Sequence, residues 1–144
     1  MSEKREKIKK QVQSLLKGAK KELVDKDYDG CIETCKSILK LDKTNFFCYL
    51  FLGKSFEAKK RPGDALKAYQ KATEIEPDQA LGWKGQLSIK VEDPDFKSFF
   101  ETVFLFTKLL ISKKDPLTEA VNYIKDYVGK HGLDFQPLKV YYLR

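Results

Sequence analysis

Apolar residues recur along this chain at helical spacing, and polar turns interrupt them. In the middle, Tyr49, Leu52, Gly53 and Phe56 fall at i, i+3, i+4 and i+7. That spacing predicts a helix with one buried face. Lys59-Lys60-Arg61-Pro62-Gly63 follows as a turn, with Pro62 and Gly63 as breakers. A second helix, about 64–75, then places Ala65, Tyr69 and Ala72 on one side, and Pro77 stops it. The small alanines let two helices cross closely, and Tyr69 fills the space beside them.

The pattern repeats. Leu15, Tyr49 and Trp83 each lie 34 residues from the next, as do Cys31 and Ala65, Cys35 and Tyr69, and Ile38 and Ala72. A period of 34 is that of tetratricopeptide repeats, helix-turn-helix units that stack as an α-solenoid. The chain is therefore expected to be all-α, a single domain over 1–144 built as a right-handed superhelix of antiparallel helix pairs. Repeat 1 is expected at about 12–45, repeat 2 at about 46–79 and a degenerate repeat 3 at about 80–113, with a further helix at about 116–130 and a tail, 131–144.

In repeat 1, Leu15 and Ala19 mark the first helix, and Lys26-Asp27-Tyr28-Asp29-Gly30 the turn. Cys31, Ile32, Cys35, Ile38 and Leu39 form the buried stripe of the second helix, and Asn45 caps the next unit. Repeat 3 opens with Trp83 in register, but Gln86-Leu87 replaces the usual Leu-Gly pair and Asp93-Pro94 breaks the chain. The stretch 96–111 reads as an apolar helix carrying Phe96, Phe99, Phe100, Val103, Phe104 and Leu110. Asp115-Pro116 has the form of an N-cap and first helical residue, opening a helix that carries Leu117, Ala120, Val121, Ile124 and Val128. The closing Val140-Tyr141-Tyr142-Leu143-Arg144 is not a polar cap, which predicts an array continuing beyond it.

The formal charge of +7 would suit nucleic acid or an acidic peptide, but much of the excess falls before residue 22. Such a run reads as a solvated helix face. The first residues lack the apolar core of a signal peptide, and no stretch approaches the roughly 18 apolar residues of a membrane span. Three cysteines, an odd number, argue against a disulfide framework. The expected compartment is the cytoplasm, with the nucleus also open. Cys31 and Cys35 stand four apart, with Cys48 and His131 as the other candidate zinc ligands, but both occupy core positions of the repeat. His131 reads as a helix-end residue. Gly82-Trp83-Lys84-Gly85 lacks the spacing of a phosphate loop, and the carboxylates lie among lysines. No enzyme, cofactor, metal, membrane or small-molecule substrate is expected.

Side chains of the first helices that the helix pairs do not use should line a partner-binding groove. These are Lys17 and Lys20 with Gln13 and Leu16, then Phe47, Leu50, Phe51 and Lys54, then Lys84 with Leu81 and Ser88. Phe47 and Phe51 read either as contact residues or as packing inside the superhelix. The clamp that chaperone-binding repeats use for a C-terminal carboxylate needs Lys and Asn where this chain has Leu16, Lys20, Phe51, Leu81 and Gly85; Lys20 alone suits. A generic adaptor binding an acidic or extended peptide is the alternative partner reading. Direct binding of single-stranded RNA, through lysines near Phe47 and Phe51, ranks below it because the aromatics fit helical periods.

Two longer words narrow the family. Cys31-Ile32-Glu33-Thr34-Cys35-Lys36-Ser37-Ile38-Leu39-Lys40 and Glu76-Pro77-Asp78-Gln79-Ala80-Leu81-Gly82-Trp83-Lys84-Gly85 resemble the N-terminal repeats of the tetratricopeptide subunits of superkiller (Ski) complexes. The resemblance covers about residues 12–91, and Gln86-Leu87 departs from it. It implies a large non-enzymatic scaffold that joins an RNA helicase to WD-repeat subunits. That assembly feeds messenger RNA to the exosome for 3′-to-5′ decay in the cytoplasm. The partners it implies are proteins, with RNA reached only indirectly, and it carries over no catalytic residue.

Overall fold

The computed structural model describes residues 2–132. Among them the chain is all-helical: α1 (Ser2–Val24), α2 (Tyr28–Leu41), α3 (Phe46–Ala58), α4 (Pro62–Ile75), α5 (Ala80–Lys90), α6 (Phe96–Ser112) and α7 (Thr118–His131). The expected tail from residue 133 on lies outside the described residues. The chain divides into two compact units, the first ending at Ile89 and the second beginning at Lys90. That division falls inside the span 80–113 assigned to a third repeat.

Local chemistry sets the helix ends. Asp27, Asn45 and Asp95 cap α2, α3 and α6, their side-chain oxygens accepting from Gly30 N (3.0 Å), Cys48 N (2.9 Å) and Lys97 N (3.2 Å). The Asp27 cap starts α2 at Tyr28, so Tyr28–Gly30, expected in the turn, form its first helical residues. Pro62 and Gly63 likewise belong to α4, because proline's missing N–H costs nothing at the first helical position. Asp115-Pro116 behaves otherwise. The Asp115 N–H returns to Leu110 O at 2.9 Å, and α7 begins only at Thr118, with no side-chain cap at Leu117.

Three helices end in one and the same way. Lys26, Lys60 and Lys114 adopt φ of 62°, 62° and 58° just past α1, α3 and α6. The next residue in each case sends its N–H back to a carbonyl five positions earlier: Asp27 to Glu22, Arg61 to Phe56 and Asp115 to Leu110, at 2.8–2.9 Å. This is the Schellman stop. Lys26 and Lys60 are 34 residues apart, as the repeat requires, and each closes the first helix of a hairpin. Lys114 does the same for α6, so α6 and α7 form a hairpin of their own.

In the first unit, one core joins Val12 and Ala19 of α1, Cys31, Ile32, Cys35 and Ile38 of α2, Cys48 and Leu52 of α3, and Ala68 of α4. The second cluster, Phe46, Leu50, Ala65, Tyr69 and Ala72, joins α3 to α4. Tyr69 is 2% exposed and packs against two glycines on different helices. A Cβ built on Gly53 of α3 would stand 2.5 Å from its ring, and one on Gly85 of α5 would be closer still. Gly85→Ala is therefore expected to lower stability by about 1–3 kcal/mol, since overpacking outweighs the gain in helix propensity. A urea titration by circular dichroism checks this; a midpoint at or above wild type would show that the ring yields.

In the second unit, α6 buries Phe99, Thr102, Val103, Phe106 and Leu110. Phe96 and Phe104, two of the apolar residues of this helix, are exposed, because the buried face is set by 99, 103, 106 and 110. On α7, Ala120 and Tyr127 are buried whereas Val121, like Leu117 just before the helix, is exposed. Tyr127 stacks on Phe99 with centroids 4.3 Å apart, and its hydroxyl donates to Asp93 O at 2.8 Å. His131, expected as an exposed or capping residue, places Nε2 2.8 Å from Val91 O and packs on the Tyr127 ring. Lys130 pairs with Glu92 beside it. The last turn of α7 thus fastens the segment 91–93, which Pro94 keeps from continuing α5.

Candidate interaction surface

The residues predicted to line a groove part company in the structure. Lys17, Lys20 and Lys54 are exposed, while Lys84 is partly buried. Phe47 is 48% exposed; its ring meets Phe46 edge-on at 5.3 Å and lies 6.4 Å from Phe51. Phe51 is half-buried against the first core cluster, where Leu16 also packs. Leu50 is a correction. It is 3% exposed and belongs to the α3–α4 core, because it stands one turn beyond Phe46 on the same side of α3.

Lys54→Glu is accordingly expected to leave stability within about 0.5 kcal/mol, as exposed positions away from special contacts do. Phe51→Ala is expected to cost about 1–2 kcal/mol, roughly half the price of a fully buried aromatic. Thermal melts of the two variants check both. A Phe51→Ala protein as stable as Lys54→Glu would place Phe51 wholly on the surface.

The structure also forms a cleft of about 450 Å³ between the first half of α1 and the α2–α3 junction. Ile8, Val12 and Leu16 of α1 and Leu41 of α2 supply its apolar lining. Arg5, Lys9 and Gln13 line it from α1, and Asp42 and Asn45 from the junction. Only Gln13 and Leu16 belong to the groove expected from the repeat register. Arg5, Ile8 and Lys9 fall before the repeat register, which starts near Val12 although α1 begins at Ser2, and Leu41, Asp42 and Asn45 belong to the junction rather than to a first helix. A signal existed: Ile8 precedes Val12, Leu15 and Ala19 at helical spacing, which extends the apolar face back by a turn. Asp42 is held by Thr44 N at 3.2 Å and Asn45 Nδ2 at 3.1 Å, while Asn45 Oδ1 caps α3.

The cysteines are packing groups. Cys31, Cys35 and Cys48 are fully buried, and the Cys48 thiol donates to Cys35 O at 3.2 Å. The hydrogen bond with Cys35, then burial, pushes the Cys31 thiol far above its ordinary range. At Cys35 the bond from Cys31 pulls downward, but the bond to Cys48 and burial outweigh it and raise the thiol. Thiols so raised stay protonated and are poor nucleophiles and poor metal ligands. Among the described residues no three His, Cys, Asp or Glu side chains come together to hold a metal ion, and no helix is long and apolar enough to cross a membrane. Lys90, donating to Thr102 Oγ1 at 2.7 Å, is lowered from the usual lysine range by burial.

No family model matches the chain. It is similar to tetratricopeptide repeat protein 37 of Xenopus laevis, 40% identical over 97 residues that cover 66% of this chain. Human superkiller complex protein 3 is 38% identical over 76 residues, 53% of the chain. Superkiller protein 3 of Saccharomyces cerevisiae is 31% identical over 129 residues, 79% of the chain. This is a superkiller-3-like tetratricopeptide-repeat region. The superkiller-3-like region spans only 6%, 5% and 9% of the length of those three relatives. The first is named for its repeats and the second for a complex. The Tyr69 wedge between Gly53 and Gly85, the Asn45 cap and the paired Schellman stops are the physical content of the repeat in this superkiller-3-like region.

Proposed function

We propose that this chain is a non-enzymatic protein-interaction scaffold of a superkiller-type complex, acting as an N-terminal arm in support of exosome-mediated 3′-to-5′ decay of messenger RNA in the cytoplasm. The similarity to superkiller protein 3 over 79% of the chain carries the reading. Its partners are proteins, with an RNA helicase and WD-repeat subunits first among them, and RNA is reached through those partners. Exposed residues on the first helices, Lys17, Lys20, Phe47 and Lys54 among them, suit contact with such partners, since long side chains and a lone aromatic lie open to solvent. Crosslinked capture by the purified chain from cytosol tests this. Recovery of helicase and WD-repeat subunits is the expected result; recovery only of unrelated clients with acidic tails would replace the scaffold reading with that of a generic peptide adaptor. The cleft beside α1 is the observation that favours that second reading.

A further inference from the structure

We propose that the cleft between α1 and the α2–α3 junction docks a short acidic peptide with one apolar anchor residue. The proposal rests on the second, peptide-binding reading above and gives it a place and a partner chemistry. The part of α1 before Val12 lies outside the repeat register, yet it is helical and forms one wall of the cleft. Ile8, Leu16 and Leu41 pack against the first core cluster but are only partly buried, so some apolar surface remains for an occupant to cover.

The rim states the occupant's charge. Arg5 and Lys9 are exposed on the cleft's α1 rim, and among the described residues neither forms an ion pair that would neutralise it. Four residues apart on a helix, they stand about 6 Å apart along its axis. Carboxylates on alternate residues of an extended peptide are spaced by about 6.6 Å, a close match. On the opposite rim Asp42 is already engaged by Thr44 and Asn45, and it repels a second carboxylate. The acids of the peptide therefore lie along α1, with the apolar side chain turned between Leu16 and Leu41. A single-stranded RNA suits the cleft less well, because no aromatic side chain lines it for a base to stack on.

The test is fluorescence anisotropy on the whole 144-residue chain. The probe is a labelled peptide with glutamates at alternate positions around a central leucine. Controls replace its glutamates by lysine or its leucine by serine, and oligouridylate is a separate competitor. The expected result is binding about tenfold tighter than either control peptide, lost by about tenfold in the Arg5→Glu/Lys9→Glu variant and unchanged in Lys10→Glu/Lys21→Glu, which alters the outer face of α1. Equal binding of the serine peptide would reduce the site to plain charge attraction and overturn the proposal. So would binding that survives Arg5→Glu/Lys9→Glu, or displacement by oligouridylate at equal concentration. Sedimentation showing a dimer that Arg5→Glu/Lys9→Glu abolishes would put a second copy of the chain in the cleft instead. Absence of peptide binding to wild type overturns the proposal even where helicase and WD-repeat subunits are captured, so the two readings fail separately.

Discussion

Replacing Tyr69 by alanine is expected to destabilise the first unit by about 3–5 kcal/mol, the range for truncating a large buried aromatic. Tyr69 is 2% exposed, and its ring occupies the space that Gly53 of α3 and Gly85 of α5 leave by having no side chain. Alanine there leaves a cavity bordered by two glycines, neither of which has atoms to move into it. The hydroxyl adds a smaller contribution by donating to Glu57 Oε1 at 2.8 Å, an acceptor that Ser88 Oγ shares at 3.3 Å. Burial, then the Glu57 charge, pushes the phenol above its ordinary range, so the hydroxyl stays protonated and keeps donating. Tyr69→Phe should thus cost only about 1 kcal/mol. Urea unfolding followed by far-ultraviolet circular dichroism gives both numbers. A Tyr69→Ala protein within 1 kcal/mol of Tyr69→Phe would mean that the ring itself carries little of the packing.

The second large effect belongs to the other unit. Tyr127→Ala is expected to cost about 3–5 kcal/mol. Tyr127 is fully buried, stacks on Phe99 at 16° between planes, and meets Phe100 edge-on at 5.9 Å. Its hydroxyl holds Asp93 O, and its ring supports His131, whose own contact is Val91 O. Removal should release the segment 91–93 together with the end of α7, so the change ought to reach further than one cavity. Hydrogen exchange reads that spread: protection of the α7 amides should fall along with that of α6. Loss confined to the last turn of α7 would show that the Phe99 stack matters less than the hydroxyl.

Of the first unit, most was legible in the residues. The stripe Cys31, Ile32, Cys35, Ile38 is buried, as are Ala19, Leu52, Ala65, Tyr69 and Ala72. Asn45 caps α3 as its position suggested. That Gly53 has a close neighbour was legible too, since a glycine amid large apolar residues implies one, but that the neighbour is the Tyr69 ring was not. Leu50 was not. Its register placed it on the open side of α3, and its burial depends on contacts with Phe46 and the α4 face that no local pattern reveals.

Local information sufficed wherever one chain segment bonds to itself. Helical periods, N-caps and the 34-residue spacing depend on residues within a few turns of each other, so the sequence alone determined seven helices' worth of pattern, the all-α class and the repeat core. Tertiary structure decided what depends on distant partners. The run Phe96 to Ile111 has apolar residues on more than one face, and only packing against α7 selects 99, 103, 106 and 110 over 96 and 104. His131 does close α7, as its position suggested, but its contact with Val91 O is a tertiary one that no local pattern carries. The cleft at α1 exists because a charged segment stays helical and lies against the α2–α3 junction, forty residues' worth of chain away from Asn45 at its first turn. Ile8 is the local sign of that wall and a faint one, since the apolar contacts that hold it are few and the charges between them are solvated in either state.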